Sequence, residues 1–159
     1  MTSKNLYHVI DGDIDYVSSK EFQHLAIELI QTNLRDRPKG IIFLINSGGG
    51  NVASAVAMFG MIQSIHALHI RTVGVVTGCA ESSALFLLQT MSVRLSLPAR
   101  VLTAHAMTSG LTGDCSVERL KADKNDLLSY IDIFAKAIEH RTHLEHFRFI
   151  LSYKSPAKK

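Results

Sequence analysis

Cysteine is scarce in this sequence: Cys79 and Cys115 are the only two in 159 residues, which excludes a disulfide framework and a cysteine-built metal centre. Long apolar runs are missing as well. No stretch could span a bilayer, and Met1-Thr2-Ser3-Lys4-Asn5 leads into Leu6 and Tyr7 without the apolar core of a secretory signal. The expectation is a cytoplasmic protein with reduced thiols and no membrane partner. Charge is low and mixed, 17 Lys and Arg against 14 Asp and Glu for a formal +3. The basic residues are scattered apart from the tail Lys154-Ser155-Pro156-Ala157-Lys158-Lys159, so no nucleic acid partner is expected and the tail reads as a solvated end. With 47% hydrophobic residues, no internal repeat and no compositional boundary, residues 1–159 read as one globular domain with a sizeable core.

The hydrophobic pattern alternates between strand and helix. Leu6 to Ile10 predicts a short strand closed by Asp11-Gly12-Asp13. Ser18, three residues before Glu21, has capping-box spacing, and Phe22, Leu25, Ala26, Leu29 and Ile30 share one face of a helix expected over 19–34. Pro38 and Gly40 stop it, and the continuous run Ile41 to Ile45 reads as a strand buried on both faces. After Gly48-Gly49-Gly50, Val52, Ala55, Val56, Phe59 and Ile62 mark a second helix, followed by a strand from Ile70 to Val76. Strand, glycine segment, helix, strand is a βαβ unit, which implies a parallel sheet. A short, very apolar third helix is expected from Ser82 to Met91, then strands from Val93 to Leu97 and Val101 to Ala104. A long helix from a Ser116 cap to about Arg141 carries Leu120, Leu127, Ile131, Phe134 and Ile138 on one stripe, which suits either contact with another subunit or an ordinary amphipathic surface helix.

Three features could carry chemistry. The glycine run lies where a buried parallel strand ends, the place at which α/β folds bind ligands. Its spacing fits neither the dinucleotide fingerprint nor the P-loop, so no nucleotide cofactor is expected. Three glycines in a row do allow main-chain amides to approach a ligand closely, as an oxyanion hole requires, although a tight turn is the simpler use of any one of them. Ser82 stands where a strand becomes a helix. Serines there are usually caps, but a cap at that point can also be a nucleophile, with the Ser83 amide at the helix N-terminus facing developing negative charge. His105 alone would more often be structural than catalytic, but at the end of a strand expected to run beside the serine it could serve as the base. His140, His143 and His146 are spaced by three and could share a helix face, but nothing in the sequence closes a metal site around them. No metal is expected.

Taken together, Asn46-Ser47-Gly48-Gly49-Gly50, the turn Gly78-x-Ala80-x-Ser82 with Phe86-Leu87-Leu88 after it, and Leu97-Pro98 leading to His105 resemble the proteolytic subunit of the Clp protease, a serine peptidase family. The likeness runs from about Tyr7 to His143. Gly48 stands where the family usually has proline, and Gly49 and Gly50 match its glycines. The resemblance implies Ser82 as nucleophile, His105 as base, and the amides of Gly49 and Ser83 as the oxyanion hole, with no cofactor. It also implies an α/β fold, the ClpP and crotonase-like superfold of stacked strand-strand-helix units, with the helix after Ser116 as the handle between stacked rings. Substrates would be peptides or unfolded proteins. Partners would be copies of the same chain in a ring and a Clp-type ATPase unfoldase.

The sequence also departs from that pattern. Glu81 precedes the nucleophile where the family generally has a small residue, Ala84 replaces a glycine, and the interval from Ser82 to His105 is slightly short, which we assign to a trimmed turn between Met91 and Val93. The family's histidine-orienting aspartate follows the handle, whereas residues 144–159 contain none. The reading is therefore a family domain without its C-terminal part and with a short amino terminus, in which Asp114, Asp123 and Glu145 are carboxylates that could substitute. Loss of the orienting carboxylate costs a standard triad about four orders of magnitude in turnover. The alternative function is a catalytically impaired ring subunit with a structural or regulatory role. An acyl-CoA enzyme of the same superfold is a third reading, but it leaves Ser82 and His105 without a joint purpose.

Overall fold

The structure, a computed structural model, describes residues 5–104 and, further along, residues 121, 122, 124–126, 128–133 and 136. The chain divides into two compact units, Met1–Ala104 and His105–Lys159. The first is a five-stranded sheet with three helices, in the order β1 (Leu6–Ile14), α1 (Tyr16–Gln31), a 3₁₀ turn (Leu34–Asp36), β2 (Gly40–Gly50), α2 (Val52–Ala67), β3 (Arg71–Glu81), α3 (Ser83–Thr90), β4 (Val93–Ser96) and β5 (Val101–Thr103). Every ladder is parallel: β1 on β2, β2 on β3, and both β4 and β5 on β3. β4 pairs Val73 to Val76 and β5 pairs Cys79 to Glu81, so the two short strands lie end to end along the edge of β3 opposite β2.

Helix α2 contacts both α1 and α3, and the three form one layer on the sheet face that carries Ile41, Phe43 and Ile45, all fully buried. Apolar side chains at helical spacing supply that layer: Phe22, Ala26 and Leu29 from α1, and Ala55, Met58, Ile62 and Ile65 from α2. Phe22 and Phe43 stack with ring centroids 5.4 Å apart, and His8 meets both rings edge-on. Burial of this face is the main favourable term, at roughly 1.5–3 kcal/mol for each large apolar side chain. On the opposite face Ile42 and Leu44 are half-buried and Tyr7 and Val9 are exposed.

Helix α1 starts earlier than its sequence suggests. Asp15 is the cap: its Oδ1 accepts from the Ser18 amide at 2.8 Å while the Asp15 amide donates to Ser18 Oγ at 2.9 Å. Ser18 thus occupies the third helical position, and the capping box is complete without Glu21. The helix ends at Gln31, where the Thr32 hydroxyl donates to the Glu28 carbonyl at 2.7 Å.

Three strands run further than their apolar cores. β1 continues through Asp11-Gly12-Asp13 to Ile14, with Gly12 at φ +72° where the register with β2 shifts. A bulge, rather than a turn, uses that glycine. β2 continues through the glycine run and β3 to Glu81, because main-chain pairing, which hydropathy does not report, persists past the apolar residues.

In the second unit the described residues from 121 to 136 are helical, as the long-helix pattern requires, and Lys136 pairs with Asp132 at 2.6 Å one turn apart. Ser116, Leu120, Leu127, Phe134 and Ile138 lie outside the described residues.

Candidate active site

The strand β3 delivers its last residue, Glu81, into a sharp turn at Ser82, and α3 begins with the next residue. Ser82 holds φ +49° and ψ −124°, a conformation that side-chain-bearing residues rarely adopt. Its main chain caps α3, with the carbonyl accepting from Leu85 at 3.1 Å and from Phe86 at 3.3 Å. Its side chain makes no capping hydrogen bond. The usual reason for a serine at a helix start is therefore missing, and the hydroxyl stays free of that duty. α3 is anchored in the core, with Leu85, Phe86, Leu87 and Leu88 all buried, so the turn has a firm base.

Gly49 sits against this turn at φ +92°. A Cβ at Gly49 would stand 2.7 Å from the Glu81 carbonyl oxygen, 2.8 Å from Ser82 Cβ and 3.0 Å from the Ser83 nitrogen. Only glycine fits there on both conformation and space. Gly50, at φ +145°, is packed as closely on the main chain of Ile14, while Gly48 has open space around it. The three glycines thus do different work, and Gly48, the one in the family's proline position, is under no such constraint. The structure brings Gly49, Ser82 and Ser83 together.

The amide of Gly49 donates to Ser47 Oγ at 3.1 Å, and Ser47 is buried. A substrate oxyanion would have to replace that hydroxyl as acceptor. The Ser83 amide is the first of α3, where no intrahelical acceptor exists and the helix dipole favours negative charge. Ser83 Oγ lies 3.4 Å from the Gly50 carbonyl, a long contact that ties the helix start to the glycine strand.

β5 lies beside the end of β3, with Glu81 level with Thr103, and the Ser82 amide donates to the Thr103 carbonyl at 2.9 Å. His105 follows Thr103 by two residues and lies outside the described residues, as do Asp114, Asp123, Glu145, His140, His143 and His146. Sequence reasoning passed over Asn46, whose side chain accepts from the Cys79 amide at 3.1 Å and donates to Asp11 Oδ1 at 2.7 Å. Its only sequence signal was a place in the asparagine-serine-glycine motif. Among the described residues no group of acidic, histidine or cysteine side chains could hold a metal ion, and no helix is long and apolar enough to cross a membrane.

Residues 11–149 match the family model for Clp protease. The chain belongs to the Clp protease family. Within that family it is 31% identical over 97 residues to ATP-dependent Clp protease proteolytic subunit 2 of Thermobifida fusca (strain YX), an overlap of 61% of this chain and 47% of the relative. It is 32% identical over 108 residues to the ATP-dependent Clp protease proteolytic subunit of Cuscuta gronovii, covering 64% of this chain and 53% of the relative. The chain spans about half the length of the curated relatives it matches. The parallel sheet with its helices is the mixed α/β arrangement of the Clp protease fold, as the resemblance implied.

Proposed function

We propose that this chain is a serine endopeptidase subunit of a Clp-type self-compartmentalised protease. Ser82 Oγ attacks a peptide carbonyl, and His105 takes the hydroxyl proton and returns it to the leaving amine. The amides of Gly49 and Ser83 hold the oxyanion of the tetrahedral intermediate, with Gly49 exchanging Ser47 Oγ for that oxygen. Water then releases the acyl group by the reverse proton path.

The observation that carries the reading is the Ser82 turn: a positive-φ serine between strand and buried helix, its hydroxyl unused as a cap, with Gly49 packed on its Cβ. Such turns lift a nucleophile clear of its own backbone. Two further points support the pairing with His105. The strand that precedes it is fastened to Ser82 through Thr103, and the family match extends through residue 149. On the same reading, the substrates are peptides or unfolded proteins, the assembly is a ring of identical subunits, an ATP-driven unfoldase supplies the substrate, and the location is the cytoplasm.

A fluorophosphonate probe tests the mechanism. Wild-type protein is expected to label, Ser82→Ala not at all, and His105→Ala at least about a hundredfold more slowly, the ordinary contribution of a general base. Absence of labelling in the wild type overturns the peptidase reading and leaves the noncatalytic ring subunit. Sedimentation reports the assembly independently, because a species of 17.5 kDa is a single subunit and would refute the ring.

A further inference from the structure

Asn46 and the end of β3 form an arrangement that the mechanism above does not use. In the β2 and β3 ladder, Ile45 is level with Val76, but Ser47 is level with Ala80. One residue of β2, Asn46, thus faces three of β3: Thr77, Gly78 and Cys79. The ladder is broken at that point, and a side chain replaces it. Asn46 Oδ1 accepts from the Cys79 amide at 3.1 Å, and its Nδ2 donates to Asp11 Oδ1 on β1 at 2.7 Å. A Cβ on Gly78 would fall on Asn46 Oδ1 itself, so the asparagine fills the space a β3 side chain would take. Thr77 Oγ1 closes the other end of the bulge by donating to the Ile45 carbonyl at 3.2 Å. Beyond the bulge, β3 regains its pairing with β2 at Ala80, pairs with β5 through Glu81, and turns at Ser82. Bulges of this kind re-aim the side chains that follow them.

We propose that Asn46 is a positioning residue for Ser82: its amide side chain, braced by Asp11, holds the three-residue bulge that sets where β3 releases the serine. The assignment rests on the reading of Ser82 as nucleophile. A hydrogen bond to the main chain two residues before the Glu81-Ser82 turn acts on the direction of the hydroxyl, not on substrate binding. Substrate or probe affinity is therefore unaffected, and the acylation step bears the loss.

The two-bond bridge can be rebuilt with its polarity reversed. In Asn46→Asp the new carboxylate keeps an acceptor for Cys79 but faces Asp11, a like charge. In the double variant Asp11→Asn, Asn46→Asp, an amide donates from position 11 to a carboxylate at position 46, and both bonds return.

The experiment measures the maximal acylation rate and the half-saturating concentration of a fluorophosphonate probe, and amide hydrogen exchange at Cys79 and Ser82, in the full chain. Asn46→Ala and Asn46→Asp are expected to lower the maximal rate at least tenfold, with half-saturation changed less than threefold, and to speed exchange at both amides. The double variant should return to within threefold of wild type on every measure. A parental rate and parental exchange in Asn46→Ala overturns the proposal, as does failure of the double variant to recover while it remains folded by circular dichroism. If wild-type protein does not label, the nucleophile reading fails by itself. The exchange data then decide the bulge: joint loss of protection at Cys79 and Ser82 in Asn46→Ala supports Asn46 as the residue that sets the Ser82 turn, and retained protection refutes it.

Discussion

The main-chain amide of Ser82 donates to the carbonyl of Thr103 across 2.9 Å, where β5 meets the turn that carries the hydroxyl. This bond makes the turn a junction of two chain segments and not a local feature of β3 and α3. It also means that the position of Ser82 depends on a residue 21 places further along the chain. Variants at the turn can therefore be judged on stability and reactivity separately.

Ser82 holds a backbone conformation that glycine adopts without cost and alanine does not. Ser82→Gly and Ser82→Ala both remove the hydroxyl, but only glycine relieves the main chain, a difference of about 1–2 kcal/mol. Thermal and urea unfolding should show Ser82→Gly as the more stable of the two, and neither should label with a serine probe. Equal stability would mean that the turn is unstrained.

Gly49→Ala and Gly48→Ala separate the roles within the glycine run. A methyl at position 49 meets Ser82 Cβ, the Glu81 carbonyl and the Ser83 nitrogen, in a backbone conformation that disfavours any side chain. Its expected cost is at least about 2 kcal/mol, with loss of Ser82 labelling. At position 48 a methyl meets nothing within 4 Å, and the change should be neutral within about 0.5 kcal/mol. Denaturant midpoints of the two variants check this directly.

Phe43 lies at the centre of the buried layer, fully enclosed and stacked on Phe22. Phe43→Ala should cost about 3–5 kcal/mol through lost burial and the cavity left behind. A chemical denaturation midpoint close to wild type would show that the layer collapses around the smaller side chain.

His8 gives the fold a dependence on acidity. Burial against Phe22 and Phe43 lowers its pKa below the ordinary histidine value, and Glu21 partly opposes this. The folded state therefore favours the neutral ring. Its contribution to stability is complete above the unfolded pKa of about 6.5 and is lost as pH falls from there through the lowered folded value. Melting temperature should drop between pH 7 and pH 5 in the wild type and drop less in His8→Leu. Parallel curves for the two proteins would exclude His8 as the cause.

Much of this architecture was legible in the sequence because two signals coincide in it. Apolar runs such as Ile41 to Ile45 and helical stripes such as Phe22, Ala26 and Leu29 mark what is buried, and what is buried became strand and helix. The serine turn was legible from its place between an apolar strand and an apolar helix. What hydropathy missed is held by main-chain and polar side-chain bonds. The extension of β2 and β3 into polar residues, the Asp15 cap and the Asn46 bridge bury little apolar surface, so no periodic pattern announces them. The closeness of Gly49 to Ser82 was expected from the resemblance alone, because the two are adjacent in space and 33 positions apart in the chain.

Parallel pairing throughout the sheet has a consequence for biogenesis. No two neighbouring strands can be joined by a tight hairpin, so each partnership waits for an intervening helix to emerge from the ribosome. The glycine strand can settle on β1 early in synthesis, while the acceptor of the Ser82 amide is not made until Thr103 has been translated. A nascent chain halted before that residue would hold the strand–helix scaffold with its serine turn unlatched.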